Sequence, residues 1–340
     1  MKSKFFSALA VLVGTTVGAG FLGIPYVISK SGFLPGLACL IFVAGFMLMV
    51  KLYLGEISLR TKGTHQLTGY AEKYLGRKGK LLMLFAMLFG IYSALIAYLV
   101  AEGQVLSYIF RGTENFSFVF SLGFWFVMAF LTYVGLSELK RAEKIGMIFV
   151  WIFIFLIFII FSSGIKTENL RYTNMGFMFM PFGVILFSFL AFSAMPEVER
   201  ILFHQEKLMK KVIILGVLIP LFAYFLFTLI MVGNFGNSIP EIATLALPRF
   251  FSLLAVVTMF TAFFTLSIAI RDMFRFDYQL GRLKGWMLAC FLPLILFLLV
   301  YFFKLESFIA LLSISGIVSG GLTGILILLM NRKAKKEGNR

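Results

Sequence analysis

Two places in this sequence interrupt long apolar runs with residues that expose backbone instead of burying it. The first reads Gly14-Thr15-Thr16-Val17-Gly18-Ala19-Gly20-Phe21-Leu22-Gly23-Ile24-Pro25. Each glycine weakens a helix by about 1 kcal/mol relative to alanine, and proline removes an amide donor, so the run predicts an unwound stretch in the middle of an apolar helix. Unwinding frees carbonyls at the end of one half-helix and amides at the start of the next. The amides of Gly18, Ala19 and Gly20 then suit an anionic group, aided by the positive end of the second half-helix. Carbonyls around Thr15 and Thr16 suit a cationic one. The second place carries Pro181 and Gly183, then Ser188-Phe189-Leu190-Ala191-Phe192-Ser193-Ala194-Met195-Pro196, with Glu197, Glu199 and Arg200 close behind. This break is weaker, because no glycine lies between Ser188 and Pro196 and the serines and Pro196 must free the carbonyls. In hydrocarbon, unwound backbone is tolerated only where it is buried in protein or lines a cavity; close helix packing through small residues is the competing explanation of the glycines.

Ionisable residues inside apolar runs are functional candidates, and they are few: Lys51, Glu56, Glu102 and Asp272. Lys51 and Glu56 fall one to two turns from the end of their run, which suits snorkelling or a mutual ion pair. Glu102, beside Gly103 and two turns from Arg111, suits either a coupling proton or a structural hydrogen bond. Thr258, Thr261 and Thr265 share a helical face. Cys39 and Cys290 lie inside apolar runs and imply no disulfide. His65 and His204 fall at run edges, and no His-Glu-x-x-His, Asp-rich run or Gly-x-x-x-x-Gly-Lys loop occurs, which argues against a membrane metalloprotease, a lipid transferase and an ATP-driven pump.

The elements that must position these residues follow from composition: 61% of residues are hydrophobic and 17% aromatic, with a mean hydropathy of +0.99. Ten apolar stretches are long enough to cross a hydrocarbon core of roughly 30 Å: Phe5–Ser29, Leu34–Ser58, Leu81–Phe110, Phe116–Leu136, Ile145–Ser163, Met180–Phe203, Val212–Val232, Ser252–Met273, Trp286–Phe303 and Phe308–Met330. The connections are too short for a soluble domain, so residues 1–340 are expected to form one all-α integral membrane domain. The first stretch has no small-residue cleavage pattern and reads as a retained helix. Net charge is +16, but most Lys and Arg fall in the amino end, the even-numbered connections and the carboxyl tail. That asymmetry predicts both termini cytoplasmic. It attributes the clusters at Arg60–Lys80 and Arg332–Lys336 to topology and anionic headgroups, not to nucleic acid. Ten spans divide into two sets of five, about 5–163 and 180–330, and an odd number makes the second set inverted; spans one and six would be the discontinuous helices of such a repeat.

At these residues the chain resembles the amino acid permeases of the amino acid/polyamine/organocation superfamily, nearest the hydroxy and aromatic amino acid permeases and the amino acid/auxin permeases. The run Gly14 to Gly20 with Phe21 to Pro25 is similar to that family's first-helix pattern. Glu56, the Ser-Phe pair and Pro196 of span six, and Val256 to Thr261 leading to Arg271-Asp272 add to it. The resemblance implies a LeuT-like fold and a multi-pass secondary transporter in the cytoplasmic membrane, neither an enzyme nor a cofactor protein, that carries amino acids by symport. A zwitterion would meet Gly18, Ala19 and Gly20 with its carboxylate, and the carbonyls near Thr15, Thr16, Ser188 and Phe189 with its ammonium. Its side chain would lie among Tyr92, Ser93, Tyr98, Phe189, Phe192 and Thr261. The chain departs from the pattern at Leu190 and Phe192, where glycine and histidine are usual, which implies a bulkier apolar pocket and a large apolar or aromatic substrate. It departs again at Ala262, which removes one hydroxyl of a sodium site. A proton is therefore the favoured coupling cation, with sodium the alternative, and Glu102, Thr258 and Thr261 are the coupling candidates. A transport-inactive amino acid sensor on the same fold is the rival reading. No residue pattern speaks to oligomeric state.

Overall fold

A computed structural model describes residues 2–63, 65–135, 139–276, 278–305 and 307–337. Among them the chain is helical, with one isolated β-bridge between Gly32 and Thr173. The helices are α1 (Lys2–Thr16), α2 (Ile24–Ser31), α3 (Phe33–Arg60), α4 (Leu67–Arg111), α5 (Ser117–Val134), α6 (Leu139–Phe161), α7 (Thr167–Arg171), α8 (Met180–Ser188), α9 (Met195–Ile201), α10 (Met209–Phe235), α11 (Leu253–Phe276), α12 (Arg282–Phe302), α13 (Phe308–Ser315) and α14 (Gly321–Glu337). Eight helical segments of the described residues are long and apolar enough to cross a membrane, nine when α1 and the bent Ala19–Ser31 segment count as one. The expected fifth span falls on α6, whose described apolar part is the shorter Ile148–Gly164. The expected end of span four at Leu136 lies outside the described residues.

Local chemistry explains the boundaries. α4 runs back to Leu67, into the basic connection expected to be a loop, and bends at Gly76, whose φ of +71 is open to glycine. Gly112 and Gly135 end α4 and α5 in the left-handed region, each amide returning to a carbonyl of the last turn. α13 and α14 are joined by a π-helical turn at Gly316–Gly320.

The helices nest in shells. α3 packs on α8 and α10, α1 and α2 on α10, and α2 on α8. Around this centre α4 packs on α11, α13 and α14, and α11 on α6; α5 and α12 flank them and each other. Phe126, Phe130, Phe155, Phe222 and Phe302 are exposed, as side chains facing acyl chains are.

Candidate functional site

α1 ends at Thr16, and the chain resumes as a 3₁₀ segment, Ala19–Gly23, before α2; the two parts bend by 44°. Gly18 between them is extended (φ −92, ψ −164). Its amide returns to the Thr16 carbonyl at 2.9 Å, so this one of the three expected anion-binding amides is already engaged. The amides of Ala19 and Gly20, first in the 3₁₀ segment, have no acceptor among the described residues. A side chain on Gly18 would meet nothing within 4 Å, whereas one on Gly20 would stand 2.7 Å from Ser188 Oγ and 2.8 Å from Phe187 Cδ1. Gly18 borders open space, and Gly20 is where the interrupted segment touches α8.

α8 ends at Ser188, and after Ala191, a non-glycine residue at φ +41, the chain continues through the 3₁₀ turn Phe192–Ala194 into α9. The break foreseen here without a glycine is made instead by a left-handed alanine. The carbonyl ends of α1 and α8 meet at one side chain: the Tyr224 hydroxyl of α10 donates to Thr16 O at 2.7 Å and Ser188 O at 3.0 Å. One proton shared between two carbonyls ties the breaks together. Phe21 stacks on the Tyr224 ring at 5.9 Å and Phe189 meets it edge-on at 5.2 Å.

The remaining expected residues distribute around this point. Phe189 and Phe192 are buried, as is Tyr98 on α4, which lies within electrostatic reach of Tyr224. Thr15 is exposed, its hydroxyl bonded to Val11 O. Ser188 back-bonds to Val184 O. Thr258 and Thr261 lie on α11, which packs against the Ala19–Gly23 segment; both hydroxyls donate to carbonyls of their own helix. Glu102, one turn from Tyr98, is fully buried with neither carboxyl oxygen hydrogen-bonded. Among the described residues no cluster of three or more His, Cys, Asp or Glu could hold a metal ion.

Lys51 departs from expectation. It does not snorkel and does not pair with Glu56: it is fully buried, with Nζ 3.3 Å from Thr16 Oγ1. Glu56 pairs with Arg60 at 3.0 Å and Lys335 at 3.8 Å. Neither Lys51 nor Tyr224 was assigned to the site from sequence. Both carried a usable signal, a polar head inside an apolar run, with Tyr224 one turn past Pro220.

Comparison with known proteins bears on this arrangement. The model of the tryptophan/tyrosine permease family matches residues 1–244. The chain is 26% identical over 246 residues to glutamine transporter 2 of Aliivibrio fischeri, covering 69% of this chain and 62% of that protein. It is 28% identical over 255 residues to the tyrosine-specific transport system 2 of Haemophilus influenzae, covering 70% of this chain and 60% of that protein. The matches thus span about three-fifths of the length of these relatives. The crystal structure of MhsT in complex with L-phenylalanine superposes with a TM-score of 0.62 at 16% identity, covering 95% of this chain and 87% of MhsT. That likeness shows the fold. The family match spans most of the chain, and with it the glycine-rich break and Tyr224: the chain belongs to the tryptophan/tyrosine permease family.

Proposed function

We propose that this chain is a secondary active transporter that moves amino acids, large apolar or aromatic ones, across the cytoplasmic membrane by proton-favoured symport with alternating access. The observation that carries the reading is the meeting of two interrupted helices at Tyr224, with the unpartnered amides of Ala19 and Gly20 and the open space beside Gly18 at the same break. A zwitterion needs a donor set for its carboxylate and an acceptor set for its ammonium, since either charge left unpaired out of water costs several kcal/mol. Helix breaks supply both from backbone. The family, and relatives that include a tyrosine-specific transport system, support amino acids as cargo; the aromatic surround of Phe21, Phe189, Phe192 and Tyr98 favours a large side chain.

The reading includes ten spans in a 5+5 inverted repeat, with spans one and six discontinuous. Exchanging each span with the one five later pairs several of the observed helix contacts with one another. α1 and α2 on α10 becomes α8 on α3, α4 on α5 becomes α11 on α12, and α4 on α13 and α14 becomes α11 on α6. These paired contacts support the repeat. Both termini are then cytoplasmic, with the basic connections on anionic headgroups. Glu102 is the proposed proton carrier, Thr258 and Thr261 the secondary coupling positions.

The test is uptake of labelled amino acids into proteoliposomes, with an inward proton gradient and no sodium, then the reverse. One cation moving inward gains about 2.3 kcal/mol per 100 mV, so accumulation of tens of fold is expected with protons alone. Accumulation only with sodium would reverse the choice of cation, and specific binding without movement would replace the transporter by a sensor.

A further inference from the structure

Among the described residues, Lys51 and Glu102 are the two fully buried side chains of charged type. Lys51 lies on α3, nine residues from the end of that helix at Arg60, and is fully buried. Its Nζ donates to Thr16 Oγ1 at 3.3 Å, and the Thr16 hydroxyl donates on to Leu12 O at 2.7 Å. The elements packed on α3 are α2, α7, α8, α9, α10 and α14, and their described carboxylates are Glu168, Glu197 and Glu199. α8 has none and α10 faces the break with Tyr224. On α9, Glu197 pairs with Arg200 and Glu199 accepts from Tyr70. Lys335 of α14 pairs with Glu56, Lys30 of α2 bonds to Asn237 O, and Glu168 and Arg171 of α7 are partly or fully exposed. No described carboxylate stands within ion-pair distance of Lys51.

A buried ammonium held by one neutral hydroxyl needs negative potential from elsewhere. The last residues of α1 supply it. The carbonyls of Gly14 and Thr15 accept from no described residue, and the negative end of the helix dipole points at the same place. The Thr16 carbonyl is taken by Tyr224. The end of the broken helix is thus met by two groups of the protein itself, the Tyr224 phenol on the Thr16 carbonyl and the Lys51 amine on the Thr16 hydroxyl.

We propose that the Lys51 ammonium is the built-in cation of the helix-break site, held at the end of α1 through the Thr16 hydroxyl in place of a soluble metal ion. Amino acid binding then depends on this charge and is indifferent to sodium. A sodium ion beside the Thr16 hydroxyl would be repelled by this charge, so sodium-independent binding is the expected outcome, with the substrate ammonium left to the α8 break around Ser188 and Phe189. The inference rests on the reading of the chain as an amino acid transporter.

The test uses the full chain in lipid nanodiscs, with tritiated tyrosine, tryptophan and glutamine as probes and choline replacing sodium. Wild type should bind equally with and without sodium. Lys51→Met should bind at least about tenfold more weakly without sodium, a change of about 1.4 kcal/mol, and recover part of that loss in sodium. Sodium should raise the melting temperature of ligand-free Lys51→Met but not of wild type, a readout that needs no substrate. Wild-type affinity of Lys51→Met in sodium-free buffer would overturn the proposal. Should that variant not fold, Thr16→Val removes the acceptor and keeps the charge. Weakened sodium-free binding in it supports the proposal and unchanged binding overturns it. A wild type that binds none of the probes, yet melts normally, would instead overturn the transporter reading and this inference with it.

Discussion

Gly18 and Gly20 lie two residues apart in the same break, and the structure separates what a side chain at each would do. At Gly20 a Cβ would stand 2.7 Å from Ser188 Oγ and 2.8 Å from an edge carbon of Phe187, closer than real Cβ contacts. Both neighbours are side chains of α8, so Gly20→Ala must displace them or the interrupted segment. Overpacking of this kind costs about 1–3 kcal/mol, and a thermal melt in detergent should fall accordingly. At Gly18 the backbone is extended, a conformation any residue adopts, and no atom lies within 4 Å of the added Cβ. Gly18→Val should therefore leave stability within about 0.5 kcal/mol of wild type, as a substitution free of steric conflict does. Its effect should fall on function, because the volume it fills lies beside the Ala19 and Gly20 amides, where the substrate carboxylate is proposed to sit. The assay pairs melting curves with uptake of labelled tyrosine in proteoliposomes. The expected result is a normal melt with uptake abolished for Gly18→Val, and a lowered melt for Gly20→Ala. Normal uptake by Gly18→Val would refute the assignment of that space to substrate. An equal loss of stability in both would refute the reading of Gly18 as open.

Other substitutions test separate parts of the site. Tyr224→Phe leaves the Thr16 and Ser188 carbonyls without their shared donor, which should cost about 1–3 kcal/mol; a melt within 0.5 kcal/mol of wild type, by the same estimate, would show that the hydroxyl is not what ties the breaks. Glu102→Gln keeps the shape of a buried carboxyl that has no hydrogen-bond partner but cannot exchange a proton; uptake should lose its dependence on external pH, and an unchanged pH profile would remove Glu102 from coupling. Ala191→Gly relieves a left-handed alanine at φ +41, a strain of about 1–2 kcal/mol set against the greater unfolded-state freedom of glycine; the melt should hold or rise slightly, and a clear fall would mean that the alanine methyl packs productively.

The first break was legible because its chemistry is that of backbone: glycines and a proline in an apolar run report unwinding whatever surrounds them. The second break was half legible. Pro196 and the serines mark the region, but the turn is made at Ala191, and nothing local in a sequence distinguishes an alanine held at positive φ by its surroundings from one in a helix. The basic stretch after Arg60 looked like a loop because its charge hid a helical start, and Gly76, where α4 bends, looked like any other glycine. Lys51 shows a different limit. Its spacing from Glu56 and from the end of the run allowed an ion pair or snorkelling, and which face of α3 it occupies depends on where α1 ends, a fact of tertiary packing. Tyr224 is the same case: the hydroxyl was visible, but its two acceptors lie 208 and 36 residues away in sequence.

The exposure of the break is uneven, and this connects the geometry to a transport cycle. Thr15 and Ser193 are exposed, while Ala19 to Gly23 are buried. The turn Ala243–Ala246 between α10 and α11 packs against the buried part. That connection is fastened across the fold by Glu241, which accepts from the Ser307 hydroxyl at 2.8 Å and the Ile309 amide at 3.2 Å at the start of α13. The break is thus buried on the side of α2 and exposed at Thr15 and Ser193 on the side of α1 and α9. For one site to serve both faces of a membrane the cover must lift while the other side closes. The fastening suits that demand: two hydrogen bonds to a partly exposed carboxylate exchange with water at small net cost, whereas the Tyr224 tie, buried between the two breaks, would lose its partners outright. In the proposed transport cycle the cover moves while the pair of broken helices stays joined.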